Sequence, residues 1–417
     1  MTAEPDLSDT GPLVHFLVEL GGALVLSGEA VDEVRDILKS VSLHAGDQRI
    51  DIIVLPTVLM IQAGTAADAR IQISSVVAAS GLRLDQVSAV YELVRRATSG
   101  DLSPVQGLAE LETIRATQAP HGPVVRTLGL GVLSAGFALA LQPTLFGVLG
   151  AFVLGVLVGL VLLIRIPELK AVMPVLVSFT VAAIVFVVAQ HYDGENPIRS
   201  LIPPLVVFLP GAAITTGTME LAAGQTISGS SRLVEGLVDL MLLSFGIIAA
   251  AALVGAPTAD LLDRPLDRLG VWTVPISLLA IAIGNHLHLC APRRTVPWIL
   301  LVLAVAWGGQ AAGAALFSAE LSGFFGALAM TPVVLLIGRY PKGPPTMVLF
   351  LPAFWLLVPG AAGLIGVTAI VGTNSRLGPA DFTATMVTVL AISLGVLMGT
   401  AAVRATSYMH RSPERAV

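Results

Sequence analysis

The chain has 417 residues, of which 55% are hydrophobic and only 12% charged. Soluble domains carry roughly 25% charged residues, so this composition excludes an ordinary soluble protein and points to several membrane spans. The net charge of −5 is held unevenly: residues 1–120 carry 16 acidic and 8 basic side chains, residues 121–417 carry 12 and 15.

The first ten residues (MTAEPDLSDT) have neither a basic n-region nor an apolar h-region, so no cleavable signal peptide is expected. Residues 11–26 are apolar but short of the roughly 20 residues a span needs, and His15 and Glu19 interrupt them. They read as a core helix of a soluble domain. A helix near 29–44 follows, with Val31, Val34, Ile37, Leu38 and Val41 at helical spacing. Residues 49–55, 58–62 and 70–77 read as strands, and polar helices are expected near 85–98 and 103–117. Residues 1–120 are thus predicted to form a small, acidic, cytosolic α+β domain.

From Val124 onward ten apolar segments follow, near 124–141, 144–164, 170–190, 201–221, 233–255, 271–290, 296–317, 319–338, 346–371 and 382–403. The first five and the last five are offset by close to 149 residues. The predicted fold is therefore an all-α polytopic domain of ten transmembrane helices, split into halves at 121–256 and 257–417. An odd number of spans per half makes consecutive halves enter the membrane in opposite senses, so the repeat is inverted. Eleven Lys/Arg on one set of flanks against four on the other place both termini in the cytoplasm.

Pro-Gly-Ala-Ala occurs at Pro210–Ala213 and again at Pro359–Ala362, in the fourth span of each half and 149 residues apart. Proline removes a donor and blocks a helical turn, so each span should break there. Backbone freed at that depth must face protein or water, and paired breaks in two halves point to a transporter's binding site. A competing alignment, VVFLP at Val206–Pro210 with VLFLP at Val348–Pro352, gives an offset of 142. The helix restarting at Gly211 and Ala212 offers unpaired N–H groups to a carboxylate, with the hydroxyls of Thr215 and Thr216 in the next turn. Gly360 starts the second half-helix, and Trp355, one turn before that break, either lines the cavity, offering a cation–π face to an ammonium, or packs.

Glu220 lies nine residues past Gly211, about 13 Å along a helix, too far to share one amino acid with Ala212. It reads either as a cytoplasmic-side gate or proton site, or as an interfacial carboxylate paired with Arg232. Asp239, the most deeply placed carboxylate of the spans, reads as a proton relay or as paired with Glu235 or Arg232. His286 and His288 are two apart on a helix and point to opposite faces, so no metal site is expected there. A lone Cys290 excludes a disulfide or a Cys-based metal site. Gly155-xxx-Gly159 and Gly309-xxx-Gly313 allow close helix packing. His15, His44, Asp47 and Asp51 of the head show no nucleophile or metal spacing, so an enzyme is disfavoured, and no cofactor is predicted.

The segments ELGGALVLSGEAVDEVRDIL at Glu19–Leu38 and, above all, PGAAITTGTMELAAGQTISGSSRL at Pro210–Leu233 resemble the threonine/serine exporter family. The shared positions are Pro210, Gly211, Thr215, Glu220, Ser228, Gly229, Arg232 and Leu233. The resemblance implies a bacterial inner-membrane transporter that exports L-threonine and L-serine with the proton motive force. Relatives linked to dicarboxylate export supply the alternative substrate, and a membrane-anchored enzyme or sensor is the alternative class. The expected partners are a small amino acid, protons and the bilayer, with no nucleic acid, and homo-oligomerisation is left open.

Overall fold

The computed structural model describes residues 10–411 except 47–49, 65–69, 77–80, 142–143, 165, 193–194, 262–269, 271, 319–320, 341–342, 358–363, 367 and 369–377. Its contacts divide the chain into two units: Met1–Ala119 with Glu220–Arg232, and Pro120–Met219 with Leu233–Val417.

The first unit begins with α1 (Thr10–Leu26) and α2 (Val31–His44), followed by strands β1 (Ile50–Val54), β2 (Val58–Ala63) and β3 (Arg70–Ser75). Helices α3 (Leu84–Thr98) and α4 (Pro104–Ala116) close it. The three strands form one antiparallel sheet in the order β1-β2-β3, with Ile52 opposite Ile61 and Ile61 opposite Gln72. Alternate residues Ile50, Ile52 and Val54 point inward, as the period of two requires. Apolar helix α1 is a core element: Phe16, Leu17, Leu20 and Leu24 are buried with Val34 and Leu38 of α2 and Leu59 and Ile61 of β2. Ser103 accepts from the Gln106 N–H and Gln106 Oε1 accepts from the Ser103 N–H, the reciprocal pairing that fixes the start of α4.

The second unit holds α5 (Pro123–Leu141), α6 (Leu145–Val161), α7 (Met173–Ala189), α8 (Pro197–Leu205), most of α9 (Gly211–Ala222) and α10 (Thr226–Val254), then α11 (Thr273–His288). Helices α12 (Val296–Leu316), α13 (Ser322–Arg339), α14 (Thr346–Leu357) and α15 (Gly378–Arg411) complete it. Among the described residues five helices are long and apolar enough to cross a membrane, and the bent pair α8/α9 makes a sixth. The other four expected spans fall on α6, α7, α11 and α14, apolar helices of 12–17 residues. Length alone therefore does not reach the predicted ten. Val234, Val238, Met241 and Phe245 leave an exposed apolar stripe along α10, as expected of a helix facing lipid. The chain is a multi-pass membrane protein.

Small residues set the close helix contacts. Gly129, Gly136 and Gly284 bring α5 and α11 together so tightly that an added Cβ on Gly284 would lie 2.6 Å from Leu133 Cα. Gly129 meets His288, Leu133 meets Gly284 and Gly136 meets Ile281, so the two helices run antiparallel. Gly155 sits against Ser134 and Gly159 against Thr127; Gly309 and Gly313 sit against Phe325. Both glycine pairs singled out in the sequence thus pack helices. One contact recurs: Gly246 of α10 lies against Val175, Ser178 and Phe179, and Gly395 of α15 against Phe324, Ala327 and Leu328. All four numbers of the second set exceed those of the first by 149.

Gly284→Ala should therefore overpack the α5–α11 crossing and cost about 1–3 kcal/mol. Gly150→Ala, where a Cβ meets nothing within 4 Å, should leave the thermal midpoint of the detergent-solubilised protein unchanged.

Candidate functional site

The first break lies where the sequence puts it. Helix α8 already carries Pro203 and Pro204, tightens into a 3-10 turn at Val206–Phe208, and ends at an extended Leu209. Pro210 then has no N–H to continue the ladder, and α9 restarts at Gly211 after a bend of 67°. The first ladder bond of the new helix runs from the Ile214 N–H to the Pro210 carbonyl, 2.9 Å. The N–H groups of Gly211, Ala212 and Ala213 precede it and have no carbonyl one turn behind. Thr215 is fully buried and its Oγ1 has no hydrogen-bond partner among the described residues. Thr216 is 8% exposed. Thr218, by contrast, donates to the Ile214 carbonyl.

Helix α10 passes over this break. A Cβ on Gly236 would lie 3.5 Å from Pro210 Cβ and would collide with Ile214. Asp239 is less than one turn further along α10, so it lies near the level of the break. It is half-buried, and among the described residues no ion-pair partner is found for it. The ion pair with Arg232 considered from the sequence is not formed, Arg232 lying against Glu220 instead; the alternative of a proton shared with Glu235 stays open. Trp355 is half-buried on α14, whose Phe350 and Phe354 stack on each other at 5.2 Å. Gly360 and the second break lie outside the described residues.

The segment from Glu220 to Arg232 belongs to the other unit. Gly224, at φ +81°, lets the chain reverse between α9 and α10. The Glu220 side chain is fully buried; Arg232 Nε lies 3.2 Å from its Oε2, an ion pair whose angle falls outside hydrogen-bond geometry. Glu220 Oε1 accepts the Val31 N–H at 3.0 Å. Val31 opens α2, and Ala30 before it supplies no capping side chain, so a carboxylate 189 residues away caps that helix. Arg232 Nη2 donates to the Glu29 carbonyl at 2.8 Å. Glu29 is 8% exposed, and its carboxyl accepts the Tyr91 hydroxyl.

Burial pushes the Glu29 carboxyl up to about 8. Glu33 raises it further, the Arg232 charge opposes, Asp32 adds to the rise, and the Ala30 N–H opposes. Glu29 and Tyr91 were not foreseen as site residues. Glu29 carries a weak local signal, an acid in the Ser-Gly-Glu stretch before an amphipathic helix, but nothing local marks a partner 203 residues on.

His286 and His288 make separate packing contacts. His288 Nδ1 lies 3.0 Å from the Arg126 carbonyl, and His286 stands edge-on to His121 at 4.9 Å. Among the described residues no group of three His, Cys, Asp or Glu could hold a metal ion.

A family model described as "Putative threonine/serine exporter" matches residues 15–254. The chain is 23% identical to Pheromone-regulated membrane protein 10 of Debaryomyces hansenii over 404 residues, covering 92% of this chain and 39% of that protein. It is 24% identical to the protein of the same name in Eremothecium gossypii over 422 residues, covering 92% and 55%. The chain thus spans about two fifths to just over half the length of these curated relatives. No solved structure matches it.

Two stability effects follow. Arg232→Gln strands a buried carboxylate and should cost about 3–5 kcal/mol, whereas Glu220→Gln keeps an acceptor for Val31 and should cost less; thermal melting in detergent ranks them. The native protein holds a proton on Glu29 that the unfolded chain gives up near the ordinary 4.5. Stability should therefore fall as pH rises from about 4.5 to about 8, then level off, and Glu29→Gln should flatten that decline.

Proposed function

The chain belongs to the threonine/serine exporter family, and we propose that it is a proton-driven secondary exporter of L-threonine and L-serine. The single observation that carries this reading is the break at Pro210. It leaves the first N–H groups of α9 ahead of the helical ladder, one turn before a buried Thr215 hydroxyl that no described residue satisfies. In this reading Gly211 and Ala212 hold the substrate carboxylate, and Thr215 and Thr216 meet its hydroxyl. Trp355 and Gly360 close the site from the second half. Asp239, without an ion-pair partner among the described residues, carries the coupling proton, and Glu220 with Arg232 forms the gate.

The ten-span inverted repeat belongs to the same proposal, with halves at 121–256 and 257–417. The recurrence of the Gly246 contact at Gly395 supports an offset of 149 over the competing 142. Antiparallel packing of α5 and α11, the first helices of the two halves, is what opposite insertion requires. In this reading both termini lie in the cytoplasm, on the basic flanks of the spans, and the bacterial cytoplasmic membrane rests on the sequence resemblance alone.

Dicarboxylate export is the second reading. Two carboxylates call for a second positive group, and no arginine occurs in the middle of an apolar segment, which favours a zwitterion. Counterflow in proteoliposomes separates the two. Labelled threonine and serine should exchange and succinate should not; succinate exchange alone would replace the first reading by the second. Gly211→Leu and Gly360→Leu should each abolish threonine counterflow in protein that still reaches the membrane. Wild-type rates in either would count against a site built by both breaks.

A further inference from the structure

We propose that Glu29 is a proton-binding site of this protein, and that its loading decides whether Arg232 stays with Glu220. The residues involved lie within the first unit. Arg232 is the one guanidinium between two buried glutamates: its Nε faces Glu220 Oε2 at 3.2 Å and its Nη2 holds the Glu29 carbonyl at 2.8 Å. One cation balances one carboxylate. Glu220 is fully buried, holds the Val31 N–H and takes the charge of the pair. Glu29 is buried almost as deeply, and its carboxyl is met by a neutral phenol, Tyr91, at Oε1. The Ala30 N–H also bonds the carboxyl, and among the described residues no salt bridge joins it to a cation.

The remaining charged neighbours favour the neutral form. Glu33 and Asp32, on the first turn of α2, are both acidic, and Arg232 is the opposing charge. Burial and these acids hold the group near 8, where small changes around it load or empty it at physiological pH. The step is an acid–base exchange: the proton leaves the Glu29 carboxyl for water and a carboxylate remains. Two anions then compete for one planar, five-donor guanidinium. Arg232 shifts toward Glu29, Glu220 loses its counter-charge, and the cap on α2 loosens. Proton release and release of the Glu220–Arg232 turn are thereby one event. Its consequence for transport rests on the exporter reading above; the proton site itself does not.

The test is infrared pH-difference spectroscopy on the purified full-length protein. Wild type should show a protonated-carboxyl band that titrates near 8, and Glu29→Gln should lack it. Exposed Glu33→Gln, which removes a like charge without touching the core, should move the midpoint down. A wild type with no such band, a band surviving in Glu29→Gln, or an unmoved midpoint in Glu33→Gln would overturn the proposal. In proteoliposomes, Glu29→Gln should lose the fall or rise of threonine efflux that wild type shows across that midpoint. Unchanged pH dependence would overturn the link to transport. A wild type that moves no amino acid yet keeps the band would sink the exporter reading and leave the proton site supported.

Discussion

One arginine closes the first unit. Arg232 lies between the carboxylate of Glu220 and the main chain at Glu29, with its side chain 12% exposed. Desolvating a charge is costly, and the Coulombic return is large only where the geometry is tight. Here the planar fork does what a lysine could not: one edge faces a carboxylate while another donates to a carbonyl on a different segment. Through Glu220 the same charge reaches the first N–H of α2. The end of one helix, the loop before it and the turn between two others are therefore held by a single side chain.

Much of the fold was legible because it is locally coded. The stripe Val31, Val34, Leu38, Val41 gives α2; the alternation in Ile50–Val54 gives an inward and an outward face; Pro210 gives the break. The pairing of Glu220 with Arg232 was also readable as one alternative, since a short turn joins their helices. What could not be read are contacts between segments far apart in sequence: Val31 with Glu220, Arg232 with Glu29. The ion pair of Asp239 with Arg232 is not formed for the same reason, because spacing along a helix does not tell which way a neighbouring arginine turns. Helix ends were less legible than the apolar runs. Apolar residues continue past helix ends, so a hydropathy run such as 144–164 covers a helix of 17 residues.

The repeated contact shows what a repeat keeps and what it lets go. At Gly246 and Gly395 the demand is for close backbone approach, and glycine stands at both. At the facing position a serine stands in one half and an alanine in the other. The same offset sets Thr215 and Thr216 against Leu364 and Ile365, and Asp239 against Thr388. The close glycine contact recurs at this offset, whereas the two threonines of the first break meet apolar residues and the carboxylate meets an uncharged threonine. A substrate site at this break would therefore draw most of its polar contacts from one half.

The cap on α2 also fixes an order of events during synthesis. Residues 1–119 leave the ribosome roughly a hundred residues before Glu220 and Arg232 exist. Until then the first N–H of α2 must be met by water, and the Glu29 carbonyl waits for its donor. The N-terminal unit is consequently not finished when its own stretch of chain is complete. Its last two fastenings arrive with α9 and α10, after four apolar helices have been made. A ribosome-bound chain stopped before residue 220 would carry this unit open at one end, exposed to proteases at the start of α2.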